Sequence, residues 1–231
     1  MTPTDENDPL FLGPAFDLLL QLGPAVDDAQ IAAAAEAVWT CPMVAGPWSV
    51  SSRIGKVGPL RPDPSERGRR LNQSRFGLLT VDEAGSALPF VLSLIHDRSD
   101  WLTLAVPVAA LRSRYAVNDT WVVADQPWLI PFSHVLAAIA DHVHRRTPIQ
   151  MGVVGEEASG CWHSPYSERD EEAFQNYPPS AVLTTDVIEQ RGGFVVPPKL
   201  WLQLAPRIAP VVLSSGLLYA PPCLQAALKG A

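Results

Sequence analysis

The sequence predicts an α+β fold, a mainly antiparallel sheet with two main helices packed on it and long proline-rich loops. Three apolar runs between residues 75 and 106 are separated by short polar stretches, a pattern typical of consecutive antiparallel strands. Residues 27–39 and 131–146 repeat apolar side chains at helical spacing. The 23 prolines are spread along the chain, which disfavours long uninterrupted helices and long central strands.

Length and composition predict one folded domain. The chain has 231 residues, of which 47% are hydrophobic and 18% are charged, values typical of globular proteins. Residues 1–24 contain four prolines and are interpreted as an irregular N-terminal lead. Strand signals lie on both sides of the second main helix, so residues 25–231 are predicted to form a single α+β domain.

The first half of the chain supplies a helix, a strand and the meander. Asp27 and Asp28 favour the N-terminus of a helix that continues to residue 39. Alternating side chains then indicate a half-buried strand from residue 47 to residue 54. The meander follows, with strands predicted at 76–81, 87–95 and 101–106. The predicted buried stripe of the first helix consists of Ile31, Ala34, Ala35 and Val38.

The second half begins with the helix at 131–146, for which Ser133 is the predicted cap. Its basic end, from His144 to Arg146, complements the negative end of the helix dipole. The spacing of His142 and His144 does not suit chelation of one ion, so capping or exposed histidines are expected. Further strands are predicted at 149–154, 181–188 and 194–196, a short helix at 198–204, and a closing hairpin at 211–219. The predicted buried stripe of the long helix consists of Leu136, Ile139, Ala140 and Val143.

Charge is distributed unevenly along the chain. The formal net charge is −7, which argues against general affinity for nucleic acid. The basic segment, residues 53–75, has seven cations and two anions, whereas the acidic segment, residues 151–180, has six anions and one cation. A weaker phosphate-binding alternative would use the cations of the basic segment, which are Arg53, Lys56, Arg61, Arg67, Arg69, Arg70 and Arg75.

The stretch from residue 152 to residue 163 concentrates polar side chains after an apolar run, as sites on loops do. It completes no catalytic motif. Ser159 lacks the flanking glycines of a nucleophile elbow. Cys161 and His163 would lie about 7 Å apart on an extended segment, too far for a nucleophile–base pair. The sequence contains no phosphate-binding glycine loop and no metal-ligand spacing, so neither a cofactor nor a metal is predicted.

Three functions remain open. The favoured prediction is a non-enzymatic module that binds a basic protein, such as a bacterial inhibitor or immunity-type protein. One alternative is a hydrolase that uses Glu156 or Glu157 with His163. The other is a structural subunit of a larger assembly, which would need a large exposed apolar patch. The acidic segment would face a partner or pair internally with the basic segment. The predicted partner-binding residues are Glu156, Glu157, Trp162, Glu168, Asp170, Glu171 and Glu172.

A cytoplasmic location is expected. The three cysteines are far apart and form no Cys-x-x-Cys pair, which disfavours a disulfide framework or a zinc ribbon. The first residues lack the basic start and apolar core of a secretory signal. The longest apolar runs are far shorter than the roughly 20 residues that span a bilayer, so no membrane partner is predicted.

Overall fold

The computed structural model describes residues 11, 13–23, 27–48, 75–82, 86–96, 100–117, 126–156, 192–204 and 209–221. These residues contain nine strands and four helices. The strands are β1 (Ala15–Gly23), β2 (Val44–Trp48), β3 (Arg75–Thr80), β4 (Ala87–His96), β5 (Asp100–Pro107), β6 (Met151–Glu156), β7 (Gly192–Val196), β8 (Val211–Val212) and β9 (Leu218–Ala220). The helices are α1 (Asp28–Trp39), α2 (Val108–Arg112), α3 (Leu129–His144) and α4 (Pro198–Leu204).

All nine strands belong to one antiparallel sheet with the order β2-β3-β4-β5-β1-β6-β7-β9-β8. The predicted α+β class is therefore confirmed, and so is the meander, which forms β3, β4 and β5. Apolar side chains of α1 and α3 share one buried cluster with one face of the central strands.

The prediction of an irregular N-terminal lead is wrong for residues 15–23, which form β1 at the centre of the sheet. Both faces of this strand are buried, because Leu18 and Leu20 face the helices while Leu19 belongs to a second buried cluster. A strand buried on both faces is a short, nearly continuous apolar run without the alternation of a half-exposed strand. Pro14 and Pro24 flank β1 and do not interrupt it.

Helix α1 begins as the sequence predicts. Asp27 is the N-cap, and its carboxylate accepts a 2.7 Å hydrogen bond from the backbone of Gln30, whose side chain accepts one from the Asp27 backbone. This reciprocal capping box satisfies two N–H groups that the first helical turn leaves open. All four residues of the predicted stripe are buried, so α1 covers the sheet through the face that its spacing indicated.

Helix α3 is displaced by two residues from its predicted bounds, because it begins at Leu129 and ends at His144. Pro131 lies in the first turn, where its missing N–H group leaves no hydrogen bond unmade. Ser133 is not the cap; it is fully buried inside the helix, and the N-cap is Trp128, which makes no side-chain capping bond. All four residues of the predicted stripe of α3 are buried.

Some of the remaining strand and helix predictions are confirmed, and others lie outside the described residues. The strand predicted at 47–54 is observed only as β2, which ends at Trp48, and residues 49–54 lie outside the described residues, as does the strand predicted at 181–188. Helix α4 has its predicted bounds, and β8 and β9 form the closing hairpin. No described helix is long and apolar enough to cross a membrane.

Candidate functional site

The acidic segment begins in strand β6, and the part of it that follows residue 156 belongs to a connection between two paired strands. Strand β6 ends at Glu156, and β7 begins at Gly192. Gly155 of β6 is the register partner of Gly192, and paired residues of antiparallel strands lie about 5 Å apart. The connection of residues 157–191 therefore leaves and re-enters the sheet at adjacent points, which we call the root of the acidic segment.

Only one predicted partner-binding residue lies among the described residues. Glu156 is the last residue of β6, and its backbone is the register partner of Phe16 on β1. The other members of the predicted site lie outside the described residues. These are Glu157, Trp162, His163, Glu168, Asp170, Glu171 and Glu172.

The basic segment lies in the connection between β2 and β3, which are the first two strands at one edge of the sheet, and it ends at the first residue of β3. Trp48, the last residue of β2, is the register partner of Phe76 on β3. A row of register partners runs from Trp48 across seven neighbouring strands to the root of the acidic segment. The six steps between these strands, at about 4.8 Å each, give a path of about 29 Å along the sheet. Counted through the antiparallel pairings, β2 and β6 have opposite strand sense. The row consists of Trp48, Phe76, Val91, Ala105, Asp17, Gly155 and Gly192.

Of the cations in the basic segment, the structure describes Arg75 alone. Arg75 is the first residue of β3, and it is buried, with 8% of its surface exposed. The cations Arg53, Lys56, Arg61, Arg67, Arg69 and Arg70 lie outside the described residues. Arg75 is thus a constituent of the sheet, not an exposed cation.

Sequence reasoning missed a set of buried polar side chains on the central strands, of which Asp17 lies beside the root. Asp17, Gln21 and Thr103 lie on the central strands β1 and β5, on the face opposite α1 and α3, and each is at most 3% exposed. The register partners of Asp17 are Ala105 and Gly155, whose small size leaves room beside the carboxylate. The signal was present in the sequence, because residues 17 and 21 are the polar positions of an apolar run and share one face of a strand.

Asp141 joins α3 to the turn between β8 and β9. Its carboxylate accepts hydrogen bonds from the Ser214 hydroxyl at 2.6 Å and from the Ser215 backbone N–H at 2.8 Å, and Arg145 lies 3.2 Å from it. Burial alone would raise the pKa of Asp141, but these hydrogen bonds and the arginine outweigh it, so that the pKa is lowered. Asp141 is a charged structural anchor.

His144 joins α3 to the start of β6. Its Nδ1 accepts a 3.1 Å hydrogen bond from the Ile149 backbone N–H, and burial lowers its pKa. The sequence predicts exposed or capping histidines, but in this bond His144 accepts from a backbone N–H beyond the helix and does not cap the carbonyl groups of α3. On the same helix, burial and the charges of Arg146 and Arg145 lower the pKa of His142. Among the described residues, no group of three potential ligands could hold a metal ion.

Cys41 is the one cysteine among the described residues, and its thiol is free and buried. Burial raises the pKa of the thiol more than the Met43 backbone and the charges of Arg145 and Arg146 lower it. The protonated thiol is the form that burial favours, and the thiolate is the form that acts as a nucleophile. This environment is that of a structural cysteine.

Among the described residues, the exposed large apolar side chains belong to helix α4 and strand β8. They are Leu202 on α4, which is 79% exposed, and Val211 and Val212 on β8, which are 39% and 70% exposed. Trp128, the N-cap of α3, is buried and stacked on Tyr115. Comparisons with protein-family models, curated proteins and solved structures found no match for the chain.

Proposed function

We propose that this protein is a non-enzymatic cytoplasmic binding module that recognises a basic surface on another protein. The acidic segment supplies the contact residues, with Trp162 as the aromatic anchor beside the carboxylates. The observation that carries the proposal is the root at Gly155 and Gly192, where a long charged connection is held at both ends by a rigid sheet. Connections much longer than about 12–15 residues are usually functional or disordered.

The charge of the acidic segment favours a basic partner. Six carboxylates and one arginine lie within residues 151–180. Complementary charge accelerates association and discriminates against partners of the same sign. An inhibitor or immunity-type protein that covers a basic toxin or nuclease is the most concrete form of such a partner relationship.

The positions of the two segments support an intermolecular use of the carboxylates. Their attachment points, Trp48 and Gly192, are about 29 Å apart when measured strand by strand along the sheet. This spacing separates the bases of the two segments. A partner is therefore the favoured counterpart of the acidic segment, ahead of the chain's own basic segment.

The chemistry of the described side chains also favours binding over catalysis. Asp141 and His144 hold α3 to neighbouring segments through their acceptor atoms. Cys41 is buried with a raised pKa. These side chains are engaged in architecture, and the carboxylates of the acidic segment are not among the groups that these contacts use.

The test compares two charge-reversal variants of the whole protein. One variant changes Glu168, Asp170, Glu171 and Glu172 to lysine. The matched control changes Asp5, Glu6, Asp8 and Glu83 to lysine, and each variant raises the formal net charge by the same amount. The tagged proteins are used to capture partners from host lysate, and native mass spectrometry measures the stoichiometry of each complex.

We expect a stoichiometric basic partner with the wild-type protein and with the control, and its loss with the variant in the acidic segment. Equal capture by both variants would contradict the assignment of the patch. The hydrolase alternative makes a different prediction, because Glu156, Glu157 and His163 would then have to converge within hydrogen-bond reach in a concave pocket.

A further inference from the structure

The joint between α3 and β6 is held by a titratable side chain. Helix α3 ends at His144, and β6 begins at Met151. Across this joint, the Ile149 backbone N–H donates to Nδ1 of His144 at 3.1 Å. Ile149 is 3% exposed, so its N–H group would be costly to leave without an acceptor.

The hydrogen bond requires an uncharged imidazole. Nδ1 can accept from Ile149 only when it carries no proton, which places the ring proton on Nε2. Protonation of Nδ1 would turn the acceptor into a donor facing another donor. The backbone hydrogen bond at this joint is therefore incompatible with the imidazolium form of His144.

We propose that His144 is a proton-sensitive latch that fastens the end of α3 to the start of β6 and opens on mild acidification. In the closed state, neutral His144 accepts from Ile149. In the open state, the protonated ring leaves Ile149, and the residues that precede β6 lose that attachment to the helix.

The surrounding charges are few. Asp141, one turn earlier on α3, is the charged group that acts on His144, and it favours protonation, whereas burial opposes protonation more strongly. The described parts of α1, β1, β6 and β7 contribute no further charge to His144. The balance holds the pKa of His144 below its ordinary value of 6.5, and histidine is the side chain whose ordinary pKa lies between pH 5 and pH 8.

The latch controls the strand that leads to the acidic segment. The Gln150 N–H donates to Gln21 of β1 at 2.8 Å, and β6 then continues to Glu156. The root lies at the far end of β6, so a loosened start of this strand would reach it only through the pairing of β6 with β1 and β7, and binding would then have to order the strand again. This consequence rests on the proposed function, while the latch itself does not.

The experiment compares the wild-type protein with His144→Asn. The Asn side-chain oxygen occupies a position like that of Nδ1 and accepts a hydrogen bond without titrating near neutral pH. Amide hydrogen exchange at Ile149 is followed by NMR between about pH 7.5 and about pH 5, the range in which histidine titrates, with correction for the intrinsic exchange rate. The Val108 amide, which donates to Pro14 at 3.0 Å, reports opening elsewhere in the sheet.

In the wild-type protein, we expect protection at Ile149 to fall by up to about tenfold per pH unit below the ordinary pKa of histidine. Protection at Val108 should change much less. His144→Asn should abolish the pH dependence at Ile149, whereas His142→Asn, the matched control on the same helix, should retain it. The same pH profile in the wild-type protein and in His144→Asn would overturn the latch.

A second measurement separates the latch from the proposed function. The affinity of an oligolysine peptide is measured by fluorescence anisotropy at the two ends of the pH range. If the latch regulates the root, affinity should fall on acidification by about fivefold more in the wild-type protein than in His144→Asn, the factor that corresponds to one net hydrogen bond. Equal affinity changes would overturn the regulation, and absence of oligolysine binding at either pH would overturn the proposed function while the exchange data still test the latch.

Discussion

Trp39 at the end of α1 stacks on Phe90 of β4, with ring centroids 5.6 Å apart and an interplanar angle of 20°. Both rings lie over Gly77 of β3. A Cβ atom added at Gly77 would lie 2.4 Å from the Phe90 ring and 2.9 Å from the Trp39 ring. The absence of a side chain at residue 77 therefore allows the helix to approach the sheet through its last aromatic residue.

We expect Gly77→Ala to lower the free energy of unfolding by about 1–3 kcal/mol, because the added methyl group must displace two packed rings. Gly152→Ala is the matched control: its Cβ would meet the flexible end of Leu20 at 3.1 Å, and its cost should be smaller. Urea denaturation of both variants measures the difference. Equal costs would show that the stacked pair can move aside.

The second prediction concerns acid stability at Asp141, whose carboxylate receives two hydrogen bonds from the turn of Ser214 and Ser215. Its pKa in the folded protein is below the ordinary value of 3.8. The unfolded chain therefore takes up the proton first as pH falls, and the stabilisation is present above the ordinary value and lost as pH falls through the folded pKa.

Asp141→Asn should therefore destabilise the protein at neutral pH by about 1–3 kcal/mol, the range for hydrogen bonds to charged groups. The loss should shrink as pH approaches the folded pKa, where the wild-type carboxylate also becomes neutral. Denaturation measured at a series of pH values checks both the size and the slope. A difference between the two proteins that stays constant with pH would argue against a charged anchor.

The third prediction concerns two buried hydroxyl groups, those of Ser133 on α3 and Tyr219 on β9. Both residues are fully buried, and neither hydroxyl has a hydrogen-bond partner among the described residues. Burial raises the pKa of Tyr219 well above its usual range, and the nearby Ser133 hydroxyl offsets part of this effect. Two such groups lose water without gaining a bond of good geometry, so they contribute little to stability.

We expect Tyr219→Phe and Ser133→Ala each to change the free energy of unfolding by less than about 1 kcal/mol, and the double variant to be neutral or more stable than the wild-type protein. A double-mutant cycle in urea measures the coupling between the two sites. A favourable coupling of more than about 1 kcal/mol would mean that the hydroxyls bond to each other in solution.

The sheet was predictable where one of its faces alternates or its strands are separated by clear turns. The meander from β3 to β5 satisfies the second condition, because polar stretches separate its three apolar runs. Strand β1 satisfies neither, because Leu18 and Leu19 are buried on opposite faces and two prolines lie close to its ends. Its place at the centre follows from pairing with β5 and β6, residues about 80 and 130 positions away, and local patterns do not encode such pairing.

The site was predictable as a charge pattern but not as a location. The sequence indicated the run of carboxylates after residue 155, and the structure adds the root that joins Gly155 to Gly192. It also adds Asp17, whose neighbour Gly155 is distant in sequence. The hydrogen bond that His144 accepts from Ile149 was not predictable from the helix pattern, because it depends on the turn after α3 that brings Ile149 back to the ring.

The last prediction concerns Asp82, which lies at the turn between β3 and β4. Its carboxylate accepts a 2.9 Å hydrogen bond from the Ser86 backbone N–H and also pairs with Arg114. The Ser86 backbone is the largest cause of the lowered pKa of Asp82, and the arginine contributes less. The turn, more than the exposed ion pair, keeps this carboxyl ionised.

Arg114→Ala should consequently leave the pKa of Asp82 below its ordinary value of 3.8, with only a small upward shift. The stability of Arg114→Ala should differ little from that of the wild-type protein, because exposed ion pairs contribute little and are screened by salt. NMR titration of the Asp82 carboxyl in the wild-type protein and in Arg114→Ala measures the shift. Recovery of the ordinary pKa in the variant would assign the effect to the ion pair and not to the turn.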